Sequence, residues 1–372
     1  MRWDLRPYPA PAGSGQRGKE ENHEEATMKA LIYHGPGRRS WEEVPEPRLT
    51  APTDAVVRVD AVTICGTDLH ILKGDVPAVT PGRILGHEAV GTVTATGDAV
   101  TTVKEGDRVL VSCVSACGRC RYCRESMYGQ CLGGGGWILG HLIDGTQAEY
   151  VRVPFADTST YLLPEGVEDE AALMLADILP TAYEVGVLNG RVRPGDTVVV
   201  VGAGPIGLAA IATAQLFTPS HIVAVDLAQS RLEAAKQFGA DVVVGAGDDA
   251  SAAVAELTGG LGADVAIEAV GVPETFEQCT RLIRAGGHVA NVGVHGESVP
   301  LRLQDLWIRN VTITTGLVDT YSTPALLDMI TARRLDPGKF VTHRFPLDEM
   351  SAAYDTFSAP EATGALKVVL TR

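Results

Sequence analysis

The chain of 372 residues reads as an α/β protein in two parts, a β-rich part and a doubly wound parallel sheet with helices on both faces. Three observations predict this. Residues 28–112 carry short runs rich in Val, Ile and Thr, punctuated by Gly and Pro. From residue 197 strand-like and helix-like runs alternate. The first of those strands runs straight into a Gly-x-Gly-x-x-Gly turn. Parallel strands need a long crossover, usually a helix, so the alternation implies a parallel sheet.

Taken in order, residues 1–27 hold Pro7, Pro9, Pro11, Gly13, Gly15 and Gly18, then a charged run from Lys19 to Glu25. They lack the apolar core of a signal peptide, and four glutamates oppose a mitochondrial presequence. The expectation is a disordered extension, or a stretch ahead of a start at Met28. Strands follow at residues 28–33, 55–64, 89–96 and 108–112. The second part supplies strands at 197–201, 222–225, 242–244, 264–267, 288–292 and 311–315, with helices including 206–216 and 229–238. After about residue 320 the chain is expected to rejoin the first part, ending in a strand at 365–370. The expected division is therefore 28–180, completed by 323–372, with 181–322 between. No repeat with a solenoid period is present.

Composition narrows the function classes. The hydrophobic fraction of 45% and mean hydropathy of +0.09 are those of a globular protein. A net charge of −15, from 31 basic and 46 acidic residues, lacks the basic footprint that nucleic acid requires. No apolar run is long enough to span a bilayer. The expected compartment is the cytoplasm, with no nucleic-acid or membrane partner.

Four of the seven cysteines fall in one cluster, Cys117-x2-Cys120-x2-Cys123-x7-Cys131. Four thiolates on tight turns suit one tetrahedral zinc with no open position, which holds a lobe together rather than reacting. Two disulfides are the competing reading, disfavoured in a reducing compartment.

The glycine turn is Gly202-Ala203-Gly204-Pro205-Ile206-Gly207, between a strand and a helix. That context is what a dinucleotide fingerprint needs: Gly202 for the turn, Gly204 for backbone approach to a pyrophosphate, Gly207 for helix packing. The helix start, with Pro205 and Ile206, presents N–H groups and a positive dipole end to phosphate. Asp226 lies nineteen residues past Gly207, at the end of the next strand, where a carboxylate meets ribose hydroxyls. A 2′-phosphate there would meet a like charge, so NAD is expected over NADP. Arg231 reads as a cover for the adenine.

A second set of metal-type residues is Cys65-Gly-Thr-Asp-Leu-His70 and Gly86-His87-Glu88. Cys65 and His87 could ligate a catalytic zinc, which needs a third protein ligand and one open position. A core thiol and a loop histidine are their ordinary alternatives.

Together these motifs resemble the medium-chain, zinc-dependent alcohol dehydrogenase family, over residues 28–372. The resemblance implies a GroES-like catalytic domain, a Rossmann coenzyme domain, and two zinc ions per chain. It implies hydride transfer between a primary or secondary alcohol and NAD, giving an aldehyde or ketone. A polyol or amino-alcohol dehydrogenase is the alternative.

Where the family's animal members supply a second cysteine as third catalytic ligand, this chain has Asp177. That resembles the bacterial secondary-alcohol branch. The expected ligands are Cys65, His87 and Asp177, with Glu88 as adjacent support or an exchangeable ligand. A carboxylate stabilising a helix N-terminus is the other reading of Asp177.

By the same resemblance Thr67 is the hydroxyl relay beside the substrate oxygen, and His70 its surface end. Val292 and Val294 flank the carboxamide contact, Val270 lines the adenosine side, and Lys367 faces the pyrophosphate. His70 as a surface histidine and Lys367 as a solvated lysine remain the plainer readings. Trp137, after the flexible-looking run at 133–136, reads as a substrate wall or a packing residue. Cys113 and Cys279 read as core thiols. A homodimer or homotetramer is the expected assembly.

Overall fold

The structure, a computed structural model, describes residues 26–372. The expected extension therefore lies outside the described residues except at its end, where Thr27 already belongs to a strand.

The first part gives β1 (Thr27–Tyr33), β2 (Arg39–Pro45), β3 (Ala55–Thr63) and β4 (Arg83–Ile84). It continues with β5 (Ala89–Thr96), β6 (Arg108–Val111), β7 (Tyr150–Val153) and β8 (Thr160–Leu162). The middle of the chain supplies β9 (Thr197–Val201), β10 (His221–Val225) and β11 (Val242–Val244). It then adds β12 (Ala263–Glu268), β13 (Ile283–Asn291) and β14 (Thr312–Thr315). Two strands close the chain, β15 (Val341–Pro346) and β16 (Lys367–Thr371).

A small sheet has the order β2-β1-β4, and a larger one β15-β16-β3-β5-β6-β8 with β7 also on β3. The larger sheet is buried on both faces. Within β6, Val109 and Val111 enter one core while Leu110 enters the other, the period-two alternation of a strand. The terminal strand joins this sheet: β16 lies antiparallel to β3, with Val369 opposite Thr63.

The middle segment forms a six-stranded sheet in the order β11-β10-β9-β12-β13-β14, parallel at every pairing. Its central strand β9 reads Thr-Val-Val-Val-Val, and all five residues are buried. An uninterrupted β-branched run suits a strand covered on both faces, and each buried Val contributes about 1.5–3 kcal/mol. One boundary differs by more than two residues. The strand expected at 288–292 starts at Ile283, because Ile283 already pairs with Ala263 and a register shift absorbs the following Arg-Ala-Gly-Gly.

One core joins the two sheets. Ala61, Val90 and Leu110 of the larger sheet pack with Leu173, Met174 and Leu175, then Ile178 and Leu179, then Val198, Val200 and Leu208. The chain crosses between sheets along this core, outward through residues 178–188 and back through 316–322. Residues close to both sheets therefore sit on those crossings.

Candidate active site

β3 ends at Thr63, and Cys65 caps the helix Gly66–Lys73 with an extended backbone, φ −104°. His87 follows the two-residue strand β4, and Asp177 caps the short helix Ile178–Thr181. Three unrelated local structures thus aim one donor atom each at a common point. The sulfur, nitrogen and oxygen donors all lie within 4.8 Å of one another. Asp177 Oδ2 is 3.5 Å from both Cys65 Sγ and His87 Nε2. Although Asp177 sits at a helix start, its side chain makes no capping bond. It turns to the cluster, where Thr181 Oγ1 donates to its other oxygen at 2.5 Å.

Charge and burial oppose each other here. Burial pushes the Asp177 carboxyl up, but hydrogen bonding and attraction from His87 outweigh it and bring the group to about 2. Burial pulls His87 down, and Asp177 and Cys65 overcome that to hold it well above its ordinary value. The Cys65 thiol is pushed up by burial and by the Asp177 charge. One soft, one borderline and one hard donor make a set that could hold a zinc ion.

A residue that sequence reasoning gave no role supports the cluster. Asp68, buried in the first helical turn, accepts from the Cys65 N–H and from Gln147 Nε2, both at 2.9 Å. Tyr354 donates in turn to Gln147 Oε1 at 2.7 Å. The remaining oxygen of Asp68 faces His87 Nδ1 at 3.9 Å, and neither atom has a hydrogen-bond partner. A carboxylate behind a metal-binding imidazole fixes its tautomer and orientation. The three-residue spacing from Cys65 to a helix N3 carboxylate was the available signal.

One expectation needs correction. Lys367 does not face a pyrophosphate cleft: it is 1% exposed, and Nζ donates to Glu88 Oε2 at 2.6 Å and to the Ile64 carbonyl at 3.2 Å. Strand β16 turns this side chain into the sheet, beneath Cys65. Burial pulls the ammonium down, but the Glu88 carboxylate holds it above its ordinary value. Glu88 is accordingly engaged with Lys367 and stands outside the converging donors, with Oε1 buried and unpartnered.

Thr67 Oγ1 lies 3.6 Å from Cys65 Sγ, at the rim of the cluster. His70, one turn on, is partly exposed and pairs through Nδ1 with Asp75 at 2.9 Å. Trp137 meets the His87 ring edge-on at 6.3 Å and stacks on His141 at 4.2 Å. Cys113, read as a core thiol, is buried with Sγ 3.9 Å from Asp177 Oδ1. Cys279 is buried in the core of the parallel sheet, away from these groups.

The cysteine lobe gathers its four sulfurs without a disulfide. Backbone N–H groups of Cys123 and Leu132 donate to Cys120 Sγ, which they bring down to about 6. Burial drives Cys123 the other way, to about 12. The glycine run at 133–136, expected to be flexible, instead wraps this cluster. A Cβ on Gly135 would lie 2.2 Å from the Ser115 carbonyl and 3.1 Å from Cys131 Sγ.

At the end of β9, Gly202 adopts φ +95°. A Cβ on Gly207 would strike the Gly202 carbonyl at 1.8 Å, whereas Gly204 faces open space where a backbone could meet a pyrophosphate. Pro205 and Ile206 open the helix Pro205–Ala214. Alongside runs a crevice of about 1340 Å³ lined by Gly202, Asp226, Arg231 and Val270. Asp226 accepts from the N–H groups of Ala203 at 2.7 Å and Ala228 at 2.9 Å, and Arg231 approaches it to 3.8 Å. Val292 is half-buried, whereas Val294 and Val270 are exposed, at 68% and 47%.

Known proteins share this sequence and fold. Residues 51–165 match the family described as the alcohol dehydrogenase GroES-like domain, and residues 205–332 match the zinc-binding dehydrogenase family. An alcohol dehydrogenase of Cupriavidus necator is 39% identical, over 93% of this chain and 99% of its own. The solved structure of a zinc-dependent alcohol dehydrogenase from Streptococcus pneumoniae superposes with a TM-score of 0.89 at 49% identity, covering 93% of this chain and 98% of that one. A protein of Thermoanaerobacter brockii named NADP-dependent isopropanol dehydrogenase is 34% identical, over 86% of this chain and 92% of its own.

Two outcomes follow from the buried charges. Lys367→Met leaves Glu88 without its partner in the core, so denaturant unfolding should show a loss of about 3–5 kcal/mol; pairing it with Glu88→Gln should restore part of that. Metal uptake should be strongly pH-dependent. In the metal-free cluster the neighbouring charges favour a proton on His87, and burial with the Asp177 charge favours one on Cys65; ligation expels both. Zinc affinity in chelator competition should then rise about a hundredfold per pH unit near neutrality. An affinity flat with pH would mean that those protons are absent.

Proposed function

Because the chain belongs to the zinc-binding, medium-chain alcohol dehydrogenases, we propose that Cys65, His87 and Asp177 hold a catalytic zinc and that NAD occupies the crevice beside Gly202 and Asp226. The enzyme interconverts an alcohol and its aldehyde or ketone. Zinc bound in such a site supplies Lewis acidity to an alcohol oxygen, and bound NAD supplies the hydride acceptor. The observation that carries the reading is the convergence of three chemically different donors to within 4.8 Å of one another.

The chain's own residues do the rest. Asp68 keeps His87 turned with Nε2 toward the cluster. The Thr67 hydroxyl, beside the donors, would accept the substrate's proton while passing its own on through the nicotinamide ribose to His70, which releases a proton to solvent from its exposed edge. The Lys367 charge offsets that of Glu88 beneath the cluster. Trp137 and His141 form an aromatic wall beside His87, which favours a primary or secondary alcohol with an apolar substituent. A polyol would leave its extra hydroxyls facing that wall unpaired.

Asp226 supports NAD over the NADP in the name of the Thermoanaerobacter relative. Two backbone amides tie its carboxylate at the ribose end, and Arg231 already leans on it. A 2′-phosphate at ~4 Å would lose about 4 kcal/mol per charge pair at an effective dielectric of 20. The four-cysteine lobe holds a second, structural zinc. Exposed Leu303, Trp307 and Ile308, beside the sheet-edge strand β14, favour a homodimer or homotetramer. Seven free cysteines suit the reducing cytoplasm, and no described helix is long and apolar enough to cross a membrane.

Metal analysis and coenzyme kinetics test the two halves separately. Asp177→Ala should lose turnover together with about one zinc per chain, the lobe zinc remaining; full zinc with retained turnover removes Asp177 from the site. The unmodified enzyme should show higher kcat/KM with NAD than with NADP, and Asp226→Gly should narrow that preference at least about tenfold. A natural preference for NADP overturns the role given to Asp226.

A further inference from the structure

The helix that starts at Asp177 continues into a π-helical turn, Ala182–Leu188, with Glu184 inside it. Glu184 is 4% exposed, and its carboxylate is saturated. Oε1 accepts from the Ser322 N–H at 2.9 Å and the Ser322 hydroxyl at 2.6 Å. Oε2 accepts from the N–H groups of Asp319 at 2.9 Å and Thr320 at 3.1 Å. A buried carboxylate normally costs stability, and four donors are what makes this one tolerable. All four come from one place, the segment 319–322, where the chain returns from the parallel sheet. Glu184 itself lies on the outgoing crossing.

That return segment touches both the cysteine lobe and the walls behind Asp177. The Tyr161 hydroxyl donates to the Thr320 carbonyl at 2.8 Å, and the Thr320 and Ser112 hydroxyls meet at 3.0 Å. Gly129 of the cysteine lobe donates its N–H to Asp319 Oδ1 at 2.8 Å. Val318 packs on Cys113 and Val114. Cys113 in turn donates its N–H to the Ala176 carbonyl at 3.1 Å, one residue before the proposed metal ligand. Thr320 holds this arrangement with φ +63°, a conformation that β-branched residues adopt only under constraint. A closed ring results: Asp177, the helix, Glu184, the turn 319–322, Ser112 and Cys113, and Asp177 again.

We propose that Glu184 is a positioning residue that bolts the outgoing and returning crossings together, setting the distance between the metal ligands and the coenzyme crevice. Through Asp319 and Gly129 the same bolt seats the cysteine lobe, so lobe and cleft share one fastening. The inference rests on the reading of the Cys65 cluster and the glycine turn as the two halves of the active site.

Glu184→Gln tests it, because an amide must point its own N–H₂ at backbone donors and cannot hold both ends of the turn. The coenzyme KM should rise about tenfold and kcat should fall, with zinc content unchanged, since the ligands themselves are intact. In cobalt-substituted enzyme, the visible absorption from the Cys65 site should shift on coenzyme binding in the natural protein and shift less in the variant. Ser322→Ala, which removes one of the four bonds, should move the same quantities about threefold, and serves if the first variant does not fold. A role in stability alone would lower the unfolding midpoint while leaving KM and kcat within twofold, and that result overturns the proposal. The comparison uses whichever coenzyme the natural enzyme prefers, so an error over NAD does not touch it. Loss of the zinc assignment would already appear in Asp177→Ala.

Discussion

Three ionisable groups buried against one another are the constraint around which this protein is organised. Cys65, His87 and Asp177 come from separate local structures and meet with Cys65 and His87 buried and Asp177 largely covered, where water screens them poorly. Left alone, such a cluster distorts every member: the thiol is pushed up, the imidazole is held protonated, and the carboxylate is dragged down. A divalent cation resolves the conflict, because it makes thiolate, neutral imidazole and carboxylate simultaneously favourable.

The surroundings carry the consequences. A buried cluster needs rigid walls, and the chain builds them from further buried polar groups, each with its partners. Asp68 is held by the Cys65 amide and Gln147, and Gln147 by Tyr354. Beneath them Glu88 and Lys367 form an ion pair with both side chains 1% exposed. Such pairs add little net stability compared with apolar packing, but losing either partner is expensive. Their contribution is to hold the floor of the site in one arrangement, with its charge balanced.

Close backbone approach is the second recurring device. Where Gly207 lies against the Gly202 carbonyl, and where Gly135 lies against the Ser115 carbonyl, a single added methyl would have no room. In one case the result is a helix start brought against a strand end, ready for a pyrophosphate. In the other it is a loop wound tightly enough to direct amide N–H groups at sulfur. Both sites use backbone donors to stabilise negative charge, so both depend on residues that add no side chain.

What the sequence alone determined is whatever depends on neighbours along the chain. The spacing of Cys117, Cys120, Cys123 and Cys131, the strand–glycine–helix order around Gly202, and the Cys65 and Gly86-His87 motifs are local, and local stereochemistry is enough to read them. The alternation of strands and helices carried the parallel sheet for the same reason. Only the tertiary structure decided that Lys367 pairs with Glu88, 279 residues away, that Asp177 abandons its helix cap for the cluster, and that Glu184 grips the turn at 319–322. A charged side chain surrenders water only for a partner already positioned in space. Which partner that is depends on how separate strands and crossings pack, and no window of sequence contains both ends of the bond.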